Sequence, residues 1–180
     1  MLLVGVAACS PKFKIQTDSP FPGDFDRYNS FKFYNPANMP ASNFSFEEQD
    51  KKVIFDAVAD EMKARGYVSV QDADLMIKIQ GGTKSTVEIQ NDTWANNYPY
   101  NSYGYYDRYG RYGPYNQPRD ESKKDATIII DLIDIKNDKI VWQGVGAGSL
   151  GRNETLTEIQ IRGAIMNIFA EFTHTAARAQ

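Results

Sequence analysis

The sequence predicts an α+β fold: a two-layer sandwich with a mixed, mainly antiparallel sheet, two helices packed on one face and a long Tyr/Gly-rich loop. Three observations carry that expectation. Residues 126–148, ATIIIDLIDIKNDKIVWQGVGAG, hold a long β-branched run that meets a turn and comes back. Residues 45–62 and 155–172 each place apolar side chains at helical spacing behind an S/T-x-x-E signature. Between residues 91 and 125 the composition changes to Tyr, Gly, Pro and Asn, with no Val, Ile, Leu or Met. At 180 residues and 42% hydrophobic composition, the chain is long enough to bury one real core.

In chain order, Lys12 to Thr17 alternates Phe13 and Ile15 with polar residues, the period of a half-buried strand. The turn-rich DSPFPGD follows, then one loose turn over Asp24 to Tyr28. Phe31, Phe33 and Tyr34 mark a second strand, stopped by Pro36, and a polar loop covers Asn35 to Asn43. Ser45 and Glu48 form a capping box. The hydroxyl can accept from the third helical amide while the carboxylate reaches back, so a helix opens here. Its inward face is Ile54, Ala57, Val58 and Met62, and Gly66 is the left-handed residue just past its end. Asp72 to Gln80 gives a third strand through Leu75, Ile77 and Ile79, which Gly81-Gly82 is expected to break or bulge. Ser85 to Gln90 reads as a short further strand around Val87 and Ile89.

In the hairpin, Ile128, Ile130 and Leu132 point to one side, with Ile129, Ile133, Ile135 and Asp131 on the other. A strand apolar on both sides belongs in the middle of a sheet. Asn137-Asp138 suits a two-residue turn, and Ile140 to Ala147 returns with Val141 and Val145 on one face and Trp142 on the other. Thr155 and Glu158 repeat the capping box and open a second helix, whose stripe is Ile161, Ile165, Ile168 and Phe172, widened by Ala164 and Phe169. The second face of the central strand needs a cover, a role open to the Tyr-rich loop.

The net charge of -3 and pI near 5.2 argue against a nucleic-acid partner, which a concentrated basic surface would meet. Residues 2–8, LLVGVAA, run directly into Cys9, the only cysteine. Such a run is too short to span a bilayer, which takes about 20 apolar residues. It resembles the end of a bacterial lipoprotein signal, with Val6-Ala7-Ala8-Cys9 as the lipobox and Cys9 as the lipid attachment residue. Several acyl chains there would anchor stably, at about 0.8 kcal/mol per buried CH₂. No Lys or Arg precedes the run, which fits a truncated signal over 1–9 followed by a single domain over 10–180. The alternative is an N-terminal strand with a buried cysteine. Ser10 after the cysteine implies, by the same resemblance, an outer-membrane lipoprotein facing the periplasm or the cell surface.

The segment 91–125 is expected to be a flexible insertion, because without aliphatic residues it cannot build a core of its own. Tyr98, Tyr100, Tyr103, Tyr105, Tyr106, Tyr109, Tyr112 and Tyr115, interleaved with Arg108 and Arg111, form a candidate binding surface. Flat amphipathic rings stack on sugar faces or accept guanidinium groups at low side-chain entropy. The plainer reading is a solvated loop resting partly on the sheet.

Reactive constellations are not legible. His174 is the one histidine, three residues from Glu171, and reads as a solvated cap of the second helix. With one His and one Cys no zinc set is expected, and no nucleophile-elbow motif is present. Asp131 and Asp134 fall on opposite faces of a regular strand and so do not make a paired carboxylate site. Asp72 and Asp74 are expected to cap the turn after the first helix. The glycines of GVGAGSLG match no complete phosphate-binding fingerprint; close packing against Trp142 accounts for them. No catalytic residue, metal or cofactor is expected.

Several of these pieces taken in order resemble the bacterial lipoproteins called domain of unknown function 4136. They are the lipobox cysteine, Asp24-Phe25 to Tyr28, Phe31 to Tyr34, Arg65-Gly66-Tyr67, Asp74-Leu75-Met76-Ile77, Ile130 to Asp134 with Val141-Trp142-Gln143-Gly144, and the Ile161 to Phe172 helix. The aromatic, glycine-containing insertion also fits. The resemblance carries no assigned catalytic residues. It implies a lipid-anchored, non-enzymatic protein of the bacterial cell envelope, bound to the membrane by its anchor and to an unidentified envelope protein or glycan. The alternatives are an envelope enzyme using acidic residues only, or a glycan-binding module acting through the Tyr-rich loop. Because each fully buried large side chain contributes about 1.5–3 kcal/mol, the second helix's apolar face is what docks it. Replacing Ile165 by Asp is expected to unfold the domain, read as loss of the cooperative thermal transition by circular dichroism.

Overall fold

The computed structural model describes residues 13–21, 25–85, 124–150 and 154–176. In chain order the elements are β1 (Lys14–Asp18), β2 (Ser30–Phe33), β3 (Phe44–Ser45), α1 (Glu48–Ala64), β4 (Val68–Ser69), β5 (Leu75–Ser85), β6 (Lys124–Asp134), β7 (Lys139–Leu150) and α2 (Glu158–Ala170). Short 3₁₀ turns lie at Phe25–Arg27, Pro36–Asn38 and Ala41–Asn43. The strands form one mixed sheet in the order β1-β7-β6-β5-β2-β4, with β3 paired to β5 beyond the end of β2. Along β5, β6, β7 and β1 each strand is antiparallel to its neighbour, while β2 and β3 pair in parallel with β5, and β4 in parallel with β2. Both helices pack on one face, giving the α+β sandwich that the alternation of helical and strand periods predicts.

The central strand is β6, as its two-sided apolar pattern requires. Ile130 lies opposite Ile79 on β5 and Gly144 on β7, and Leu132 lies opposite Ile77 and Trp142. These residues join Ile54, Val58 and Met62 of α1 and Ile161, Ile165, Ile168 and Phe169 of α2 in one core. The glycines of β7 make room for the helix. A Cβ on Gly144 would collide with Ile168 and the Trp142 ring, and one on Gly146 would crowd Ile168. Trp142 itself packs on Phe169 and Phe172, with ring centroids 5.6 and 5.0 Å apart.

Arg65, at the end of α1, ties the two helices together. Its guanidinium donates to the carbonyls of Phe169 at 2.6 Å and Phe172 at 3.2 Å, and pairs with Glu61 at 2.6 Å. Carbonyls left free at a helix C-terminus accept such a cation readily. Gly66 follows with φ +90°, the left-handed position that its place in the sequence predicts.

Five local expectations differ from the structure. Ser45 does not cap α1: it belongs to β3, opposite Gly82, and the N-cap is Glu47, which makes no side-chain capping bond. Tertiary pairing claimed the serine first. Gly81-Gly82 does not interrupt β5, which continues to Ser85, because the pair lets β3 approach on one side and β6 on the other. The hairpin turn spans the four residues Ile135–Asp138, and only Asp138 is left-handed, at φ 51°. A bulge at Val141 then restores Trp142 to the register of Leu132. Thr157 and Gln160, two residues beyond Thr155 and Glu158, form the capping box of α2. His174 lies past the end of α2 and stacks on Phe25, with centroids 4.0 Å apart and planes at 11°. Of the strand expected over 85–90, Ser85 ends β5 and the rest falls outside the described residues.

Gly81 has φ +126°, and a Cβ there would run into the Thr127 carbonyl. Gly163 in α2 has nothing within 4 Å of where its Cβ would stand. Gly81→Ala is therefore expected to destabilise the fold by more than ~1 kcal/mol. Gly163→Ala should raise stability by about 0.5–1 kcal/mol. Urea unfolding midpoints of the two variants, moving in opposite directions, check both.

Candidate functional site

The face of the sheet away from the helices carries a row of polar side chains that strand alternation alone puts together. Lys78, Asp131, Gln143 and Asp18 stand opposite one another across β5, β6, β7 and β1. Gln80 sits one step along β5. Asp131, Gln80 and Gln143 are buried, Asp131 and Gln80 fully so. The Asp131 carboxylate accepts from Gln143 Nε2 at 2.5 Å and from Gln80 Nε2 at 3.1 Å. Gln80 Oε1 is buried without a hydrogen-bond partner. Burial, opposed in part by the charge of Asp131, lowers the Lys78 ammonium below its ordinary range. The Lys78 ammonium also lies 5.8 Å from the Tyr34 ring centroid, within reach of a weak cation–π contact.

This cluster was only partly legible. Asp131 stands out in an isoleucine run, and Lys78 and Gln80 alternate with Leu75, Ile77 and Ile79 as the outward set of β5. Nothing local shows that the outward set is buried. Chemically, the row fixes one carboxylate between two amides, which locks register and offers hydrogen-bonding groups; the other carboxylate of the row, Asp18, stands two strands from Asp131, across Gln143.

Asp134 lies on the other face, as strand alternation predicts. Its carboxylate accepts from the Tyr28 hydroxyl at 2.8 Å, Arg27 at 3.1 Å, and the side-chain and backbone N–H of Asn137 at 2.6 and 3.1 Å. Asp74 does not cap the turn after α1. It clamps the start of β2 instead, accepting from the Asn29 and Ser30 amides and the Ser30 hydroxyl, while its own amide donates to Ser30 Oγ. Asp72 is exposed and does not join it. The Tyr67 hydroxyl is buried without a partner, and burial pushes its pKa up to about 12.

A cleft of about 500 Å³ opens between the first turns of α1 and the loop leading into β3. Met39, Phe44, Phe55, Pro36, Pro40 and Lys51 are among the residues that line it. Lys51 is already paired with Glu48 at 2.6 Å. Cys9, the eight tyrosines from Tyr98 to Tyr115, Arg108 and Arg111 fall outside the described residues, as does the cover expected from the Tyr-rich loop. Among the described residues no three His, Cys, Asp or Glu side chains gather as a metal set.

A family model described as Domain of unknown function (DUF4136) matches residues 15–172. No curated protein matches the chain. Among solved structures, a PDZ domain protein from Parabacteroides distasonis superposes with a TM-score of 0.53 at 14% identity, covering 92% of this chain and 37% of that one. The PelC dodecamer from Paraburkholderia phytofirmans superposes with a TM-score of 0.49 at 12% identity, covering 91% of this chain and 99% of that one. At 14% identity the likeness to the Parabacteroides protein is one of fold alone.

Burial raises the pKa of Asp134, but the hydrogen bonds from Tyr28 and Asn137 outweigh it, so the net shift is downward. A depressed carboxylate contributes stability in full above its unfolded value, about 3.9, and loses it as pH falls through the folded value. The stability gap between the wild type and Asp134→Asn is therefore expected to be flat from pH 7 to about 5 and to shrink below about 4. Urea titrations across that range check it.

Proposed function

The chain belongs to the DUF4136 family, and from that membership we propose that it is a lipid-anchored protein of the bacterial cell envelope with a binding or structural role and no reaction of its own. Acylation of Cys9 holds it in the outer membrane, facing the periplasm or the cell surface. Its partner is an envelope protein or glycan, engaged through the tyrosines of the insertion; nucleic acid is not a partner.

The observation that carries this reading is what the buried and half-buried carboxylates do. Asp74, Asp131 and Asp134 are each engaged by amide, hydroxyl or guanidinium groups that join one part of the chain to another. Asp131 and Asp134 also occupy opposite faces of β6. A hydrolase relying on acidic residues needs two carboxyl groups flanking one bond, about 5–9.5 Å apart. These three are spent on architecture. The small apolar run before Cys9 supports the anchor, and the eight tyrosines from Tyr98 to Tyr115 support a recognition surface of flat rings.

Two measurements test the reading. Mass spectrometry of the membrane fraction is expected to recover a peptide beginning at lipid-modified Cys9, and Cys9→Ala should move the protein to the soluble fraction. Deleting residues 95–120 is expected to abolish envelope-protein or glycan capture by crosslinking pulldown while leaving the thermal transition in place. Unchanged capture would remove the insertion as the binding surface.

A further inference from the structure

We infer that the domain stands with one particular end of its sheet against the lipid surface: the end at which β1 starts, β5 stops, β6 starts and β7 stops. This rests on the anchor at Cys9 proposed above. The register gathers that end without ambiguity. Lys14 lies opposite Ala147, Ser85 lies opposite Lys124, and Lys124 lies opposite Leu150. β3 pairs with Gly81-Gly82 close by, and α1 leaves from it. The far end holds the Ile135–Asp138 turn, the Asp134 knot with Arg27 and Tyr28, and β4.

Two lengths decide the orientation. The chain from Cys9 to Lys14 reaches at most ~18 Å fully extended. The paired strands β5 and β6 each run 11 residues, roughly 35 Å. A bilayer-bound Cys9 therefore keeps the Lys14 end close to the headgroups. From Lys14, opposite Ala147, to Lys139 at the far end is eight residues of β7, roughly 27 Å, so turning the Ile135–Asp138 end to the membrane would require the tether to retrace the sheet over about one and a half times its reach. Apolar exposure does not make this choice, since Phe21, Val68 and Val70 are exposed toward the far end. Charge is compatible with it: Lys14, Lys84 and Lys124 occupy the near end together with Asp125, Glu47 and Glu48, a mixed set suited to zwitterionic headgroups.

A consequence follows for the insertion. Ser85 and Lys124 are neighbours at the near end, so the segment that joins them is rooted on the membrane side of the domain.

Cys9 is the only cysteine, so acylation leaves the thiol of an introduced cysteine as the single labelling site. The full lipidated chain carrying Lys84→Cys or Lys136→Cys, each with a thiol-coupled fluorophore, is inserted into phosphatidylethanolamine vesicles containing a headgroup nitroxide lipid. Emission from the position-84 label is expected to be quenched, and emission from the position-136 label to stay at its nitroxide-free level. Equal quenching at both positions, or stronger quenching at 136, overturns the orientation. Mass spectrometry of the same sample separates the two ideas. An acylated Cys9 with the wrong quenching pattern leaves the anchor standing and removes the orientation; an unmodified Cys9 removes both.

Discussion

Ile168 rests against β7 where Gly144 and Gly146 carry no side chain, and the position of α2 depends on that approach. With the helix seated there, Phe169 and Phe172 meet Trp142, and the carbonyls at the end of α2 come within reach of Arg65. Arg65 in turn fixes the end of α1, so both helices share one layer. The constraint is steric before it is attractive. Any side chain at Gly144 would collide with Ile168 and Trp142, and α2 would have to move outward.

The polar interior has a different task. Burying a carboxylate among two amides adds little net stability, because desolvation offsets much of the hydrogen bonding. What it adds is discrimination. A one-residue slip of β6 would turn Asp131 into the apolar helix layer and bring Ile130 or Leu132 to Gln80 and Gln143. Asp74 and Asp134 do the same for connections, one holding the start of β2 and the other tying the hairpin turn to the Phe25–Tyr28 segment. The carboxylates that a search for chemistry singles out are those that specify which strand lies where.

The topology also divides the domain by ends. The amino-terminal strand and both stems of the Tyr-rich insertion meet at one end, while the tied turn and the Arg65 junction lie toward the other. Sheet length sets the separation between them. Both stems of the insertion start from the end at which β1 begins.

The sequence by itself determined the layers: two amphipathic helices, a central strand apolar on both sides, Gly66 as a left-handed stop, and the opposite facing of Asp131 and Asp134. These follow from periods of 3.6 and 2, which are local and therefore readable. It did not determine that Ser45 would pair with Gly82 instead of capping α1, that Gly81-Gly82 would carry β5 onward, or that Gln80 and Gln143 would converge on Asp131 from separate strands. Each of those outcomes depends on which strands become neighbours. Backbone groups satisfied across a sheet outweigh a local capping preference of about 1 kcal/mol, so only the tertiary structure could decide them.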